Sequence, residues 1–359
     1  MVVVEGSAAW RLRGVILPDD EPGEIYVDGD RITFTPVPGA ETVVDGGYLV
    51  PGLVDAHCHP GTAEIGEPLD LALLRTHGEQ LRAAGISAVR VPGSAGRLPS
   101  WFGGDPELPR VWGAGLAVAA EEGFFPGWGR RLPADRIPAA AAEESRASGG
   151  WCKLIVDWMT EDGGYAATMS PQVVAAATRA VREAGGRVAA HTQHADGGTA
   201  AVAAGVDSVE HGMHLPVHLL ETMAAQGTAL VPTAVTFAQL APVMDDPEVP
   251  VGMRRWFGEG WRGHPDLVRA AYEAGVTVLA GTDLPPGHLT GEIRWLAEAG
   301  LPGAAAVGAA SWTARSWLGL PGIEEGAPAD VIAVDADPRR HPNVLDHPSR
   351  VIIRGRLVR

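Results

Sequence analysis

Two histidines one residue apart follow an apolar run near the start of the chain. The run 49–55 is rich in β-branched residues, and His57 and His59 come directly after it, before Pro60. In a strand, residues i and i+2 share a face, so we expect the two histidines to project together at the strand's carboxyl end. Two imidazoles in this arrangement can bind a metal ion from one side and leave its other side open to water and substrate.

A single lysine is the second unusual feature. Lys153 is the only lysine in a chain of 359 residues with 28 lysines and arginines, and it lies in the apolar run 151–156. A preference for arginine explains why lysine is rare, but not why the one lysine lies in a predicted buried strand. An ion pair with Asp157, four residues along on the same strand face, is the simplest alternative to a chemical role.

These residues need a scaffold, and the middle of the chain supplies a repeating pattern. Helical, alanine-rich stretches repeatedly end at glycine and are followed by short apolar strands, at 86–90, 187–191, 206–211, 228–231 and 276–280. With strands near 53–59, 108–118 and 152–158, this makes eight strand–helix units over about 260 residues, the size of a (β/α)8 TIM barrel. A doubly wound sheet is the alternative, but the chain has no glycine-rich phosphate-binding loop.

The two ends of the chain are strand-like and too small to fold alone. Within 1–50, strands meet at the turn Asp28-Gly29-Asp30, a strong hairpin signal, and 330–335 and 351–358 also predict strands. We therefore predict three segments, listed here: 1–50 and 320–359, which join in one small β-sandwich, and 51–319, which forms the barrel.

The carboxyl ends of barrel strands carry function, and here they carry metal-binding residue types. They are, in chain order, His57 and His59, Lys153, His191, His211 and Asp283. Four imidazoles, a carboxylate and a lysine are costly to bury together unless a metal ion pairs them. Taken singly, His191 or His211 could be a hydrogen-bonded structural histidine and Asp283 a helix N-cap.

Several segments together resemble the amidohydrolase superfamily, and within it the imidazolonepropionase-like and prolidase-like amidohydrolases. The matching segments are VPGLVDAHCH at 50–59, WCKL at 151–154, AGVDSVEHG at 204–212, AGTD at 280–283, and the tail from 326–333 to 356–358. The resemblance spans nearly the whole chain.

The resemblance implies a binuclear metal centre, with zinc as the expected ion. His57 and His59 with Asp283 would hold one ion, His191 with His211 the second, and a carboxylated Lys153 would bridge them. Burial favours the neutral amine that attacks carbon dioxide, and two cations would stabilise the resulting carbamate. The metals would activate a hydroxide, with Asp283 as general base and then acid. A single-metal site with an ordinary lysine remains open.

The chain departs from the prolidase-like pattern around the substrate. Residues 119–128 lack the usual Gly-Gly-His, and Gln193 stands where a second histidine would follow His191. We predict a substrate site from the remaining polar and aromatic side chains: Glu121, Phe124, Trp128, Gln193, His194 and His288. Trp101, Phe102 and Phe125 could join it or simply cover the barrel rim. An insertion at 235–265 could be a lid or a dimer contact.

The composition limits the classes of partner that the chain is expected to bind. The net charge of −16 disfavours nucleic acids and anionic membranes, the start of the chain lacks the pattern of a signal peptide, and no long apolar run occurs. Two cysteines, Cys58 and Cys152, predict packing groups in a reducing cytoplasm. The partner is then a small-molecule substrate, and a homo-oligomer is possible.

The predicted function is a metal-dependent hydrolase that cleaves an amide-like C–N bond. N-acyl amino acids or modified dipeptides are the leading substrates. Cyclic-amide hydrolysis, lactone hydrolysis or deamination at one metal are the rival activities. A scaffold that kept the fold but lost its chemistry should lack ligands, and none of the six positions is missing here.

Overall fold

The computed structural model describes residues 9–64, 67–161 and 163–359 and shows an α/β fold with parallel sheets. The strands are β1 (Trp10–Ile16), β2 (Glu21–Asp28), β3 (Arg31–Thr33), β4 (Glu41–Pro51), β5 (Leu53–Asp55), β6 (Ile86–Val91), β7 (Arg110–Gly113), β8 (Val118–Ala120), β9 (Arg130–Leu132), β10 (Trp151–Ile155), β11 (Asp157–Met159), β12 (Tyr165–Ala167), β13 (Arg187–Thr192), β14 (Ser208–His211), β15 (Ala229–Val231), β16 (Val331–Val334), β17 (Arg350–Ile353) and β18 (Arg356–Leu357). The α-helices are α1 (Leu71–Ala83), α2 (Ser100–Gly104), α3 (Ile137–Ser148), α4 (Pro171–Glu183), α5 (Ala195–Ala204), α6 (Leu220–Gln226), α7 (Ala234–Leu240), α8 (Val251–Glu273), α9 (Leu289–Glu298), α10 (Gly303–Gly308) and α11 (Trp312–Trp317).

The parallel strands lie in the middle of the chain, and most of them follow the repeating pattern. The strand predicted at 108–118 was wrong, because this stretch forms two strands, β7 and β8, that belong to different sheets, and β9 was not predicted. The order β15–β14–β13–β10–β8–β9 forms one sheet and β5–β6–β7 another, and every neighbouring pair in both is parallel. The predicted eighth strand, 276–280, forms only one bridge, between Val278 and Leu230. Its backbone nevertheless links β15 to β5, because the Ala56 N–H donates to the Ala280 carbonyl at 2.9 Å.

Local sequence explains where the helices begin and end. Ser170 caps α4 by accepting a hydrogen bond from the Val173 N–H, and Pro171 occupies the first turn. Gly205 ends α5 in the left-handed conformation, with φ of 71°, so that the chain can turn into β14. Cys58 and Cys152 are buried and free within the main apolar core, where they pack as small apolar groups.

Strands from both ends of the chain share one seven-stranded sheet, in the order β18–β17–β16–β4–β1–β2–β3. The predicted hairpin is confirmed, because β2 and β3 pair antiparallel across Asp28–Arg31. The sheet has an apolar cluster of its own, which includes Leu12, Ile25 and Ile352. Each end of the chain therefore completes the other's sheet.

The apolar run 49–55 is divided between two sheets. Its first part belongs to β4 of the terminal sheet, and its last part is β5. Gly52 separates them at a point where a Cβ atom would lie 2.6 Å from Ser87 Oγ and 2.9 Å from Asp330 Cβ. Only glycine fits this close approach, so the chain passes from one sheet to the other here.

The predicted insertion at 235–265 is largely helical. It contains most of α7, a 3-10 turn at Ala241–Asp245 and the first half of α8. Phe237 and Phe257 of this insertion pack together with Met213, which follows β14. In the parts of the chain that the structure describes, we find no helix with the length and apolar character needed to cross a bilayer.

Candidate active site

A cavity of about 500 Å³ lies at the carboxyl ends of the parallel strands. Its floor brings together all six residues that the sequence predicts as metal ligands, namely His57, His59, Lys153, His191, His211 and Asp283. The six come from five separate segments of the chain, so the fold, and not local sequence, places them side by side.

The histidine pair and Asp283 form one side of this floor. Nε2 of His57 and Nε2 of His59 lie 3.1 Å and 2.9 Å from Oδ1 of Asp283. The expectation that both histidines lie in a strand was wrong, because β5 ends at Asp55 and they occupy the loop that follows. Asp55 orders this loop, since its buried carboxylate accepts hydrogen bonds from the His57 N–H and from the Thr282 hydroxyl.

Asp283 is not the N-cap of a helix, which was the simplest alternative. Helix α9 begins after His288. Asp283 has a positive φ of 54°, a conformation that asparagine and aspartate tolerate better than most residues. Burial alone would raise the pKa of Asp283, but the neighbouring histidines, His57 foremost with His59 and His211, together outweigh burial and hold that pKa well below its usual value.

His191 and His211 form the other side of the floor. Their ring centroids lie 4.6 Å apart, and Nδ1 of His211 lies 2.7 Å from the Thr233 hydroxyl oxygen. Burial lowers the pKa of His191 to about 3, so its imidazole is neutral and has a lone pair to offer. Its Nε2 atom is buried and has no hydrogen-bond partner within the described ranges.

These donors fit a divalent metal ion. Ligand atoms of His57, His211 and Asp283 all lie within 4.8 Å of one another. A buried imidazole nitrogen without a partner costs free energy, and coordination by a cation would remove that cost for His191. Neutral imidazoles with a carboxylate are a donor set typical of zinc and similar ions.

Lys153 projects into the same cavity from β10. Burial lowers its pKa to about 8, which makes the neutral amine accessible near neutral pH. The alternative of an ion pair with Asp157 is not supported, because the Asp157 carboxylate accepts from the backbone N–H groups of Gln193 and His194. No carboxylate of residues 9–64, 67–161 or 163–359 lies within 4.0 Å of the Lys153 ammonium.

A buried charge network holds His57 from behind, and the sequence analysis missed it. Glu210 Oε2 lies 2.7 Å from His57 Nδ1 and 2.8 Å from the Arg90 guanidinium. Burial opposes ionisation of Glu210, but Arg90, Lys153 and His57 together outweigh burial and keep the pKa of Glu210 well below its usual value. An ionised Glu210 holds the proton of His57 on Nδ1 and leaves Nε2 free to face the cavity. The sequence did contain a signal for this network, because Arg90 and Glu210 are charged residues inside strands that are predicted to be buried.

Above the floor, eight aromatic side chains of the described residues line the cavity, and we call six of them the aromatic wall. They are Phe124, Phe125, Trp128, Trp158, Tyr165 and Trp256. Phe125 and Trp158 lie edge to face at 4.8 Å, and Tyr165 stacks on Trp256 at 4.2 Å. Trp256 belongs to α8, so the predicted insertion contributes directly to the cavity.

The predicted substrate residues divide into two groups. Phe124, Trp128 and Gln193 line the cavity. Glu121, His194 and His288 are not among the described residues that line it. Glu121 is exposed, and His194 accepts a hydrogen bond from the Asp196 N–H at 3.3 Å and caps α5.

Two further aromatic candidates lie elsewhere. Trp101 and Phe102 pack in a separate cluster with Leu74 and Leu108, and neither is among the described residues that line the cavity. We therefore interpret Trp101 and Phe102 as residues that pack over the rim, and not as substrate-binding residues.

Comparison with known proteins places the chain in a family. The Amidohydrolase family, described by its sequence model, matches residues 109–358. An uncharacterized protein of Mycobacterium tuberculosis is 38% identical over 363 residues, which cover 98% of this chain and 96% of the relative.

Solved structures share the fold at lower identity. A Xaa-Pro dipeptidase with bound methionine superposes with a TM-score of 0.82 at 23% identity, covering 98% of this chain and 99% of that one. A prolidase complexed with N-methylphosphonate-L-proline gives 0.81 at 22% identity, covering 98% and 99%. The ochratoxinase of A. niger gives 0.81 at 19% identity, covering 98% and 95%.

Proposed function

This chain belongs to the amidohydrolase family, and we propose that it is a metal-dependent hydrolase that cleaves an amide-like C–N bond of a small molecule. The observation that carries the proposal is the meeting of six predicted ligands from five segments on one cavity floor. We also propose that the parallel strands close into a (β/α)8 barrel, since residues 276–280 bond to β15 and to Ala56, directly after β5, and that the terminal strands form a β-sandwich beside it.

Two divalent ions, with zinc expected, would be held by this floor. His57, His59 and Asp283 would hold one, and His191 and His211 the other, with Lys153 carboxylated between them. Within the part of the chain that the structure describes, the buried His191 Nε2 has no hydrogen-bond partner and the buried Lys153 has no ion-pair partner, and both observations support this assignment. Metal ions in such a site lower the pKa of bound water and polarise the substrate carbonyl.

The chain's own groups would position the substrate and move the proton. Oδ1 of Asp283 faces both histidines of the pair, whereas Oδ2 lies 3.9 Å from His211 Nδ1 and is the freer oxygen. We assign Oδ2 as the atom that accepts a proton from the nucleophile and returns it to the leaving amine. The aromatic wall would exclude bulk water from this transfer.

Metal removal and reconstitution test the proposal. Protein stripped with a chelator should be inactive on a panel of N-acyl amino acids, modified dipeptides, cyclic amides and lactones. Zinc, manganese or cobalt should restore hydrolysis of at least one amide. Stripped protein that stays inactive on all of them after reconstitution contradicts the proposal.

Lys153 separates the binuclear site from its rivals. In Lys153→Ala, we expect the protein to lose one metal equivalent and its activity together. A one-metal deaminase with the same substitution should keep its metal ion and its activity. Because Lys153 is the only lysine, labelling with ¹³C-bicarbonate should give one lysine carbamate resonance, absent from Lys153→Ala. Its absence from the unsubstituted, metal-loaded protein contradicts carboxylation.

A further inference from the structure

The cavity above the metal-binding floor selects by charge as well as by shape. Resting on the proposed function, we propose that the substrate is an uncharged amide with a bulky aromatic or branched apolar group and no free carboxylate. Among the predicted substrates, this favours modified dipeptides and N-acyl amino acids whose carboxyl group is blocked.

The apolar part of the argument is the aromatic wall and its neighbours. Phe124 and Phe125 pack against Trp158 at centroid distances of 5.1 Å and 4.8 Å. Met244 and Met253, from the insertion, also line the cavity. Methionine and aromatic side chains together make an adaptable apolar surface that gains free energy by covering a large apolar group.

The cationic side chains of the cavity are already assigned to the metal ions. Within the described ranges, its lining contains Lys153 and four histidines but no arginine. The remaining residues of the chain, 1–8, 65, 66 and 162, include no lysine, arginine or histidine. A substrate carboxylate would lose its hydration here without gaining a cationic side chain, which disfavours its binding.

Backbone N–H groups beside the floor are occupied as well. The N–H groups of Gln193 and His194, after β13, donate to the Asp157 carboxylate at 2.9 Å and 3.1 Å. Those of Ala234 and Val235, after β15, donate to Glu292 at 3.0 Å and 2.9 Å. Paired N–H groups of this kind bind anions, and the protein's own carboxylates fill both pairs.

The remaining charges at the cavity repel anions. Glu64 is exposed and lines the cavity, and the whole chain carries a net charge of −16. Both lower the local concentration of an anionic substrate and favour a neutral one.

A pair of amides that differ only in a carboxylate tests the proposal. N-benzoylphenethylamine and N-benzoyl-L-phenylalanine share one skeleton, and only the second is an anion. With the metal-loaded protein we expect kcat/KM to be at least about 30-fold higher for the neutral amide. Equal or higher kcat/KM for the acid overturns the proposal but leaves the hydrolase assignment intact.

A new cation at the cavity should weaken the preference for the neutral amide. Gln239 lines the cavity and is exposed, so Gln239→Arg should raise the acid-to-neutral ratio of kcat/KM about tenfold. Gln80→Arg, which places the same charge on exposed α1 away from the cavity, is the matched control and should leave the ratio unchanged. A ratio that does not rise in Gln239→Arg contradicts a missing cation as the cause.

Binding of the two amides tests the charge preference independently of hydrolysis. If the metal-loaded protein hydrolyses neither amide, tryptophan fluorescence titration with both compounds still decides between the two charges. Binding of the neutral amide alone supports the cavity's preference, and the hydrolase assignment is then decided by the substrate panel. Equal or tighter binding of the acid overturns the preference.

Discussion

The floor and the aromatic wall of the cavity are built in opposite ways. Floor residues lie in parallel strands or in the loops that follow them, and buried carboxylates hold the histidine pair, with Glu210 behind His57 and Asp55 beneath the loop after β5. Wall residues come from loops, from the short hairpin β11–β12 and from the insertion, and they touch mainly other rings, as Phe125 and Trp158 do. The sheet therefore fixes the chemistry, and loops that can vary without disturbing it set the selectivity.

Removing the proposed proton carrier should break the floor with the largest effect. Asp283→Asn keeps a residue type that tolerates the positive φ but removes the carboxylate. We expect kcat to fall about 1,000-fold, because general acid–base catalysis contributes on that scale. Steady-state kinetics with metal analysis of the same sample measures this. A kcat within about tenfold of the unsubstituted enzyme would assign the proton transfer elsewhere.

Neutralising Glu210 should weaken the floor from behind. Glu210→Gln leaves the Arg90 guanidinium buried without a counter-charge, and both side chains are fully buried. We expect a loss of about 3 kcal/mol in the free energy of unfolding, and about tenfold or more in metal affinity through His57. Denaturant unfolding of the metal-free protein and metal competition measure the two effects.

The control for Glu210 is a carboxylate that pairs with arginine on the surface. Glu107 lies 2.8 Å from Arg82 and is 46% exposed. Glu107→Gln should cost less than about 1 kcal/mol, because water screens exposed ion pairs. Similar losses in Glu107→Gln and Glu210→Gln would show that burial does not distinguish the two pairs.

More of the floor than of the aromatic wall could be predicted from the sequence. His57, Lys153 and Asp283 stand at strand ends, where residue type and position along the chain already indicate a site. The partner of His57 was not found, because pairing Glu210 with Arg90 depends on the register of β6 and β14 across the fold. Sequence spacing carries no such information.

Loops show the same limit more clearly. Trp101 and Trp128 both lie in glycine-rich stretches, yet only Trp128 reaches the cavity. His194 looked like a substrate group but caps a helix. Local composition identifies such aromatic and polar side chains, while tertiary packing decides which way each one points.

Truncating the wall should change substrate binding and leave the chemical step intact. Phe125→Ala removes a ring that packs against Trp158 and lines the cavity. For an aromatic amide, we expect KM to rise about tenfold with kcat unchanged, since the lost contact acts equally in the ground and transition states. Trp101→Ala, outside the cavity lining, should leave both constants unchanged. A fall in kcat without a change in KM would instead place Phe125 with the catalytic floor.

The smallest expected effect concerns how the free energy of unfolding depends on pH. Glu292 is buried beneath the start of α7, and burial raises its pKa from 4.5 to about 8. Between these values only the unfolded chain ionises at this position, so the folded state loses stability as pH rises from 4.5 to 8. Relative to Glu292→Gln, which cannot titrate, the unsubstituted protein should lose at least about 1.4 kcal/mol, the equivalent of one pKa unit. Unfolding of both proteins measured across this range tests whether the difference in the free energy of unfolding changes with pH. A difference that is constant with pH means that the two N–H donors keep Glu292 ionised in the folded state.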